Sequence, residues 1–158
     1  MRITVLAFGR VKRSPEQTMV DDYAKRAKAL ARRLGISDLV VDALEDKGPP
    51  EGRRAREAQA LLARVPEGAA LIVLDERGDN VTSQEWASDL NARLGSGARE
   101  IVYVIGGTDG LAQEITARAA RRLALGRQTW PHMLVRVMLL EQIYRALTIL
   151  TNHPYHRA

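Results

Sequence analysis

Residues 70–75 read ALIVLD, five apolar side chains in a row before the first charge. A strand with one wet face alternates apolar and polar residues. An unbroken apolar run marks a strand buried on both faces, as in parallel sheets covered by helices. Similar short runs lie on either side. Residues 3–8 (ITVLAF) and 39–44 (LVVDAL) precede it, and residues 100–107 (EIVYVIGG) and 123–125 (LAL) follow it.

Helical signals separate these runs. Ser14, Pro15 and Gln17 form a capping box with a proline at the first helical position, predicting a helix from residue 15 to about residue 34, ended by Gly35. Residues 53–65 make a basic helix stopped by Pro66. Thr82 and Glu85 form a second capping box, opening a helix that runs to about residue 94 and ends at Gly95. A helix over residues 111–122 precedes the last strand, and residues 133–150 form the final helix. The order βαβαβαβαβα predicts an α/β fold: one domain over residues 1–158, a largely parallel five-stranded sheet, and helices on both sides. Ligands on such sheets bind beyond the carboxyl ends of the strands. Three loops lie there: DERGDN (75–80), GGTDG (106–110) and GRQTWPH (126–132).

Composition narrows the chemistry. With no cysteine, disulfides, thiolate metal sites and cysteine nucleophiles are excluded. The apolar run near residue 1 is too short for a signal-peptide core, and charged residues interrupt the longest apolar stretch, so a cytoplasmic protein with no membrane partner is expected. Net charge is +5. That suits a nucleic-acid partner, and it equally suits a genome whose codon bias favours arginine over lysine. H-E-x-x-H, G-x-S-x-G and both classical glycine-rich nucleotide motifs are absent. No metal is expected, because three histidines with scattered carboxylates have no ligand spacing.

The last helix carries apolar residues on nearly every side, among them Leu134, Val137, Met138, Leu140, Ile143 and Leu147. Such a helix is buried all round, which predicts a homodimer with this helix in the interface, or else a monomer whose other helices wrap it. Arg136, Glu141 and Arg145 interrupt it. Glu141 and Arg145 are spaced as a helical ion pair. Arg136 has no local partner, so it meets a carboxylate or phosphate or faces a cavity. The chain ends TNHPYHRA, placing His153, Tyr155, His156 and Arg157 together. The cluster is either a stray polar tail or a set of groups able to position a base and move a proton.

Residues 131–157 (PHMLVRVMLLEQIYRALTILTNHPYHR) resemble the C-terminal signature of the ribosomal RNA large subunit methyltransferase H family, in the SPOUT class. LIVLDERG (71–78), VIGGTDGL (104–111), LAFGRVKR (6–13) and the DDYAKR of the first helix extend the resemblance over essentially the whole chain. It implies a C-terminal trefoil knot and S-adenosylmethionine as methyl donor. The acceptor it implies is N3 of a pseudouridine (position 1915) in helix 69 of 23S rRNA on the assembled 70S ribosome. Position by position, it implies donor contacts from Leu74, Gly106, Gly107 and the loop Gly126, Arg127, Gln128, Thr129, Trp130 and Pro131. Relatives often have a more apolar or serine-containing loop there.

N3 carries a proton that must leave before its lone pair can attack. The resemblance therefore places His156 or His153 as proton acceptor, Tyr155 as orienting or stacking group, and Arg136, Arg145 or Arg157 as anion holders. Glu141 and Tyr144 would hold the arginines. Two alternatives remain at this stage: a SPOUT enzyme acting on a ribose hydroxyl of transfer RNA, and a non-catalytic ribosome-binding module.

Overall fold

A computed structural model describes residues 1–157. The elements are β1 (Arg2–Phe8), α1 (Pro15–Ala31) with a 3-10 turn (Arg32–Leu34), β2 (Asp38–Leu44), α2 (Arg53–Arg64), β3 (Ala70–Asn80), α3 (Ser83–Gly95), β4 (Glu100–Ile105), α4 (Gln113–Arg118), β5 (Arg121–Ala124) and α5 (His132–Leu150). All four strand pairings are parallel, in the order β2-β1-β4-β3-β5. The α/β architecture expected from the apolar runs is present.

Alternate strand residues face two separate cores. Ile3, Val5, Ile72, Ile101 and Tyr103 pack with α1, α3 and α5. Leu6, Phe8, Leu71, Val73, Val102 and Val104 pack with Ala58 and Leu61 of α2 and Ile115 of α4. Leu71, Ile72 and Val73 are buried on both faces of the sheet because each face has its own helices. From β1 the chain goes to β2 on one side, while β3, β4 and β5 lie on the other. The crevice therefore falls between the carboxyl ends of β1 and β4.

The helix starts follow their sequence signals. The Ser14 hydroxyl accepts the Gln17 N–H at 3.1 Å. The reciprocal half of that capping box is missing, because the Gln17 amide donates to Asp21 instead. Thr82 and Glu85 complete theirs in both directions.

Two expected boundaries are corrected. The helix read over residues 111–122 is only six residues long, and Arg121 and Arg122 belong to β5. The Ala120 N–H donates to the Leu71 carbonyl and draws the chain into the sheet. β5 is an edge strand, so its arginines reach carboxylates at the surface: Arg121 pairs with Asp89 and Arg122 with Asp75. β3 also outruns its apolar stretch. Its register shifts between Leu74 and Asp79, and Asp79 and Asn80 then pair with Leu123 and Ala124. Asn80 Oδ1 accepts the Gly126 N–H at 3.1 Å, tying the β3 extension to the loop after β5.

The final helix is partly wrapped by its own chain. It packs against α1 and α3, and nine of its residues are buried. Leu134 stays exposed and Met138 half-buried, next to the exposed Met19 of α1. No helix of the described residues is long and apolar enough to cross a membrane.

Candidate active site at the strand exits

Three strand-exit loops enclose a cavity of about 630 Å³. Leu74, Gly106, Gly107, Gly126, Gln128, Thr129 and Trp130 line it, and Arg127 and Pro131 do not. Pro131 instead stands at the N-terminal end of α5, and Arg127 is exposed. The loop 106–110 closes on itself through the Gly110 N–H and the Gly107 carbonyl at 3.0 Å. Its glycines leave the backbone bare where it borders the cavity. A Cβ on Gly107 would sit 2.8 Å from both carboxylate oxygens of Glu57, and one on Gly106 would sit 2.9 Å from the Leu111 side chain. Gly126 has φ +93°, the left-handed region that favours glycine. Trp130 is pinned by its indole N–H, which donates to the Leu125 carbonyl at 2.8 Å and leaves the ring partly exposed.

At the crevice between β1 and β4 the key side chains come from α5. His132 Nε2 lies 2.7 Å from the Gly106 carbonyl. A carbonyl only accepts, so the imidazole proton sits on Nε2. The other side of the ring faces Gly9, where an added Cβ would lie 3.3 Å from Cε1 and 3.6 Å from Nδ1. Burial lowers the pKa of this imidazole, the Gly106 hydrogen bond opposes the shift, and Arg136 adds to it. Arg136 is 3% exposed and donates from one terminal nitrogen to the Phe8 and Gly9 carbonyls, both at 3.1 Å. Among the described residues no carboxylate pairs with Arg136, and its Nε is buried without a hydrogen-bond partner. One terminal nitrogen of the guanidinium clasps the exit of β1.

The tail cluster forms elsewhere. Asn152 takes a left-handed conformation (φ 54°), and the His153 N–H returns to the Thr148 carbonyl at 2.9 Å, so the chain turns back on α5. The Tyr155 hydroxyl donates to Glu141 at 2.9 Å, and its ring meets Tyr144 edge-on with centroids 4.7 Å apart. Burial raises the Tyr155 pKa, and the nearby Tyr23 and the hydrogen-bonded Glu141 add to that. Arg145 pairs with Glu141, lies 4.8 Å from the centre of the Tyr155 ring, and approaches His156 Nδ1 at 3.3 Å. His153 Nδ1 accepts the Tyr155 N–H at 3.2 Å. Arg157 is exposed.

The structure therefore joins His153, Tyr155, His156 and Arg145 in one cluster, and the lining glycines with Leu74 in another. Within one chain the two clusters are apart. From His132 to Arg145 is about 20 Å along the helix axis at 1.5 Å per residue.

A protein-family model described as "Predicted SPOUT methyltransferase" matches residues 1–156. The chain is 48% identical to ribosomal RNA large subunit methyltransferase H of Hyphomonas neptunium, with 100% of both chains covered. It is 46% identical to the protein of the same name from Afipia carboxidovorans, again over 100% of both. The chain belongs to the SPOUT methyltransferases, in the ribosomal RNA large subunit methyltransferase H family. Among solved structures, a probable methylase family protein from Haemophilus influenzae is similar at 14% identity and a TM-score of 0.48. That match covers 99% of this chain and 70% of the other.

For this SPOUT methyltransferase, sequence reasoning passed over His132 and Glu57. His132, the first of the three histidines in the chain, directly follows a proline at a helix start, a pattern that by itself marks only a loop. Glu57 carried no signal, since a glutamate in a basic helix reads as a solvated charge. In the fold it is 7% exposed, and burial first, then Asp109 and Asp46, pushes its pKa up.

His132 gives a pH test. Its folded pKa lies below its ordinary value of 6.5, so below that pH the unfolded chain binds more protons and stability falls as the solution is acidified. His132→Gln removes that titration. The drop in Tm between pH 7.5 and pH 5.5 is expected to be smaller in the variant than in the parent. Equal drops would show that His132 is not a source of the pH dependence.

Proposed function

We propose that this chain transfers a methyl group from S-adenosylmethionine to N3 of a pseudouridine in helix 69 of 23S rRNA, on assembled 70S ribosomes in the cytoplasm. The observation that carries the reading is full-length identity of 48% to a protein named for methylation of large-subunit ribosomal RNA. A strand-exit pocket of suitable size supports it.

The pocket suits the donor. Bare glycine backbone at residues 106, 107 and 126 lets a ligand lie close to the main chain, and the indole of Trp130 offers an exposed aromatic edge. When bound, the donor supplies an electrophilic methyl group. The protein's part is to hold the acceptor in line and to manage one proton. Arg157 and Arg145 would stabilise the anion left on the pyrimidine, Tyr155 would orient the base, and His156 or His153 would accept the N3 proton. Each histidine already accepts a hydrogen bond at Nδ1, from Arg145 or from the Tyr155 N–H. Acting as a base therefore requires releasing that bond when RNA arrives.

We further propose a homodimer through α5, with the tail of one protomer completing the donor pocket of the other. The exposed Leu134 and Met19 and the half-buried Met138 support this interface. The separation of tail and pocket within one chain supports the sharing. The trefoil knot implied by the family is part of the same proposal, supported by the close passage of the β3 extension over β5.

Incubating ribosomes that lack the modification with methyl-labelled donor tests the assignment. Label is expected at N3 of a pseudouridine in helix 69. Label elsewhere, or none, refutes it. Mixing a tail-deleted subunit with a pocket-loop variant tests the sharing: activity returns if sites form between chains and stays absent if they form within one.

Gly107→Ala is expected to weaken donor binding about 5- to 10-fold in calorimetry, the equivalent of about 1 kcal/mol of overpacking against Glu57. The double variant Gly107→Ala/Glu57→Ala is expected to recover most of that loss. No recovery would place the clash elsewhere.

A further inference from the structure

Residues 10–13 (Arg-Val-Lys-Arg) bridge β1 and α1 without regular secondary structure. All four are exposed, and three of the four are cationic. Among the described residues none of Arg10, Lys12 and Arg13 forms an ion pair, although Glu16 lies only a few residues on. Other basic residues among those described, Arg32 and Arg33 included, also lack a carboxylate partner, so it is the clustering of three cations within four residues that sets this segment apart. No main-chain hydrogen bond outside the regular elements involves residues 10–13, so their N–H groups face solvent. Val11, at 53%, is the most exposed large apolar side chain in the chain.

The position of this segment matters as much as its charge. It starts at Gly9, which the Arg136 clasp and the His132 ring hold against the crevice between β1 and β4. The same His132 bonds the Gly106 carbonyl at the pocket wall. It ends at Ser14, which caps α1. Both ends are therefore fixed, and the span between them starts beside His132, which lines the strand-exit pocket. A cluster of exposed cations repels itself and attracts an anionic partner. On a nucleic acid that partner is the phosphate backbone.

We infer that Arg10, Lys12 and Arg13 form a phosphate-docking segment that seats the RNA strand at the mouth of the strand-exit pocket. The inference rests on the proposed RNA methylation and extends it to where the substrate backbone lies. Main-chain N–H groups of the segment are available to phosphate oxygens, and Val11 can lie against a base or sugar face.

The test uses the full-length protein and 70S ribosomes lacking the modification, with binding measured across a salt series. The triple variant Arg10→Gln/Lys12→Gln/Arg13→Gln is expected to lower the slope of log affinity against log salt by about 2 to 3 units, each phosphate contact contributing about 0.7 to 0.9. Ribosome affinity should fall at least tenfold, while S-adenosylmethionine binding by calorimetry and Tm stay at parental values. Arg10→Lys/Arg13→Lys should keep the parental slope. Arg32→Gln/Arg33→Gln, in the turn that leads into the amino end of β2, serves as a control for net charge. A triple variant with parental slope and affinity overturns the inference, and so does an equal loss in the control. Failure of the functional reading looks different: the parental protein would itself label no ribosomal RNA, which removes both.

Discussion

Replacing His156 with alanine is expected to lower kcat for methyl transfer by about 100-fold or more, the ordinary range for losing a general base, with donor affinity and Tm unchanged. The ring sits where the tail is most constrained. Arg145, itself held by Glu141, approaches its Nδ1, and its Nε2 is buried without a partner among the described residues. A buried polar nitrogen left unpaired is costly, and an incoming substrate or a partner chain would supply what it lacks. If His156 acts as the base, the acid limb of the kcat–pH profile disappears in the variant. If it only seats the RNA, KM rises and kcat holds. Unchanged turnover at neutral pH removes His156 from the mechanism. Removing residues 153–158 should abolish methylation and lower Tm only modestly, because Tyr155 is lost from the rim of the core while α5 itself ends before the turn at Asn152.

Gly78→Ala is expected to be the most damaging small substitution for stability, at about 3 kcal/mol. A Cβ there would lie 2.7 Å from the Arg122 carbonyl carbon and 2.8 Å from its oxygen. These are main-chain atoms of β5, which cannot swing aside like the end of a long side chain. β3 and β5 would have to separate where Asp79 and Asn80 pair with Leu123 and Ala124. For a domain of this size the loss corresponds to a fall in Tm of roughly 6 to 12 °C. Donor binding should weaken as well, because the Asn80–Gly126 hydrogen bond ties the same segment to the pocket loop. A Tm within 2 °C of the parent would show that the strands pass with room to spare.

Most of the fold could be read from local pattern. Residues 70–75 needed only their unbroken apolar run to place them in a doubly covered parallel strand, and Thr82 with Glu85 announced α3. The misread elements were those decided by pairing. Arg121 and Arg122 look like the end of a helix, yet the Ala120 bond to Leu71 pulls them into an edge strand. The sequence 75–80 looks like a plain loop, yet its last two residues rejoin the sheet. The pocket loops were legible as strand exits. The chemical partners within them were not, as Arg136 and His132 illustrate.

Local pattern was enough to tell which residues form strands and helices, which faces are buried, and which loops gather at the carboxyl ends of the strands. Those features follow from side-chain periodicity and capping, whose range is a few residues. Only the tertiary structure decided that Arg136 holds carbonyls 127 and 128 residues away, that His132 bonds the glycine loop, and that the tail folds back onto Glu141 and Tyr144. Such partners are chosen by how whole elements pack, and no local pattern encodes a contact between side chains and main chain from opposite ends of the protein.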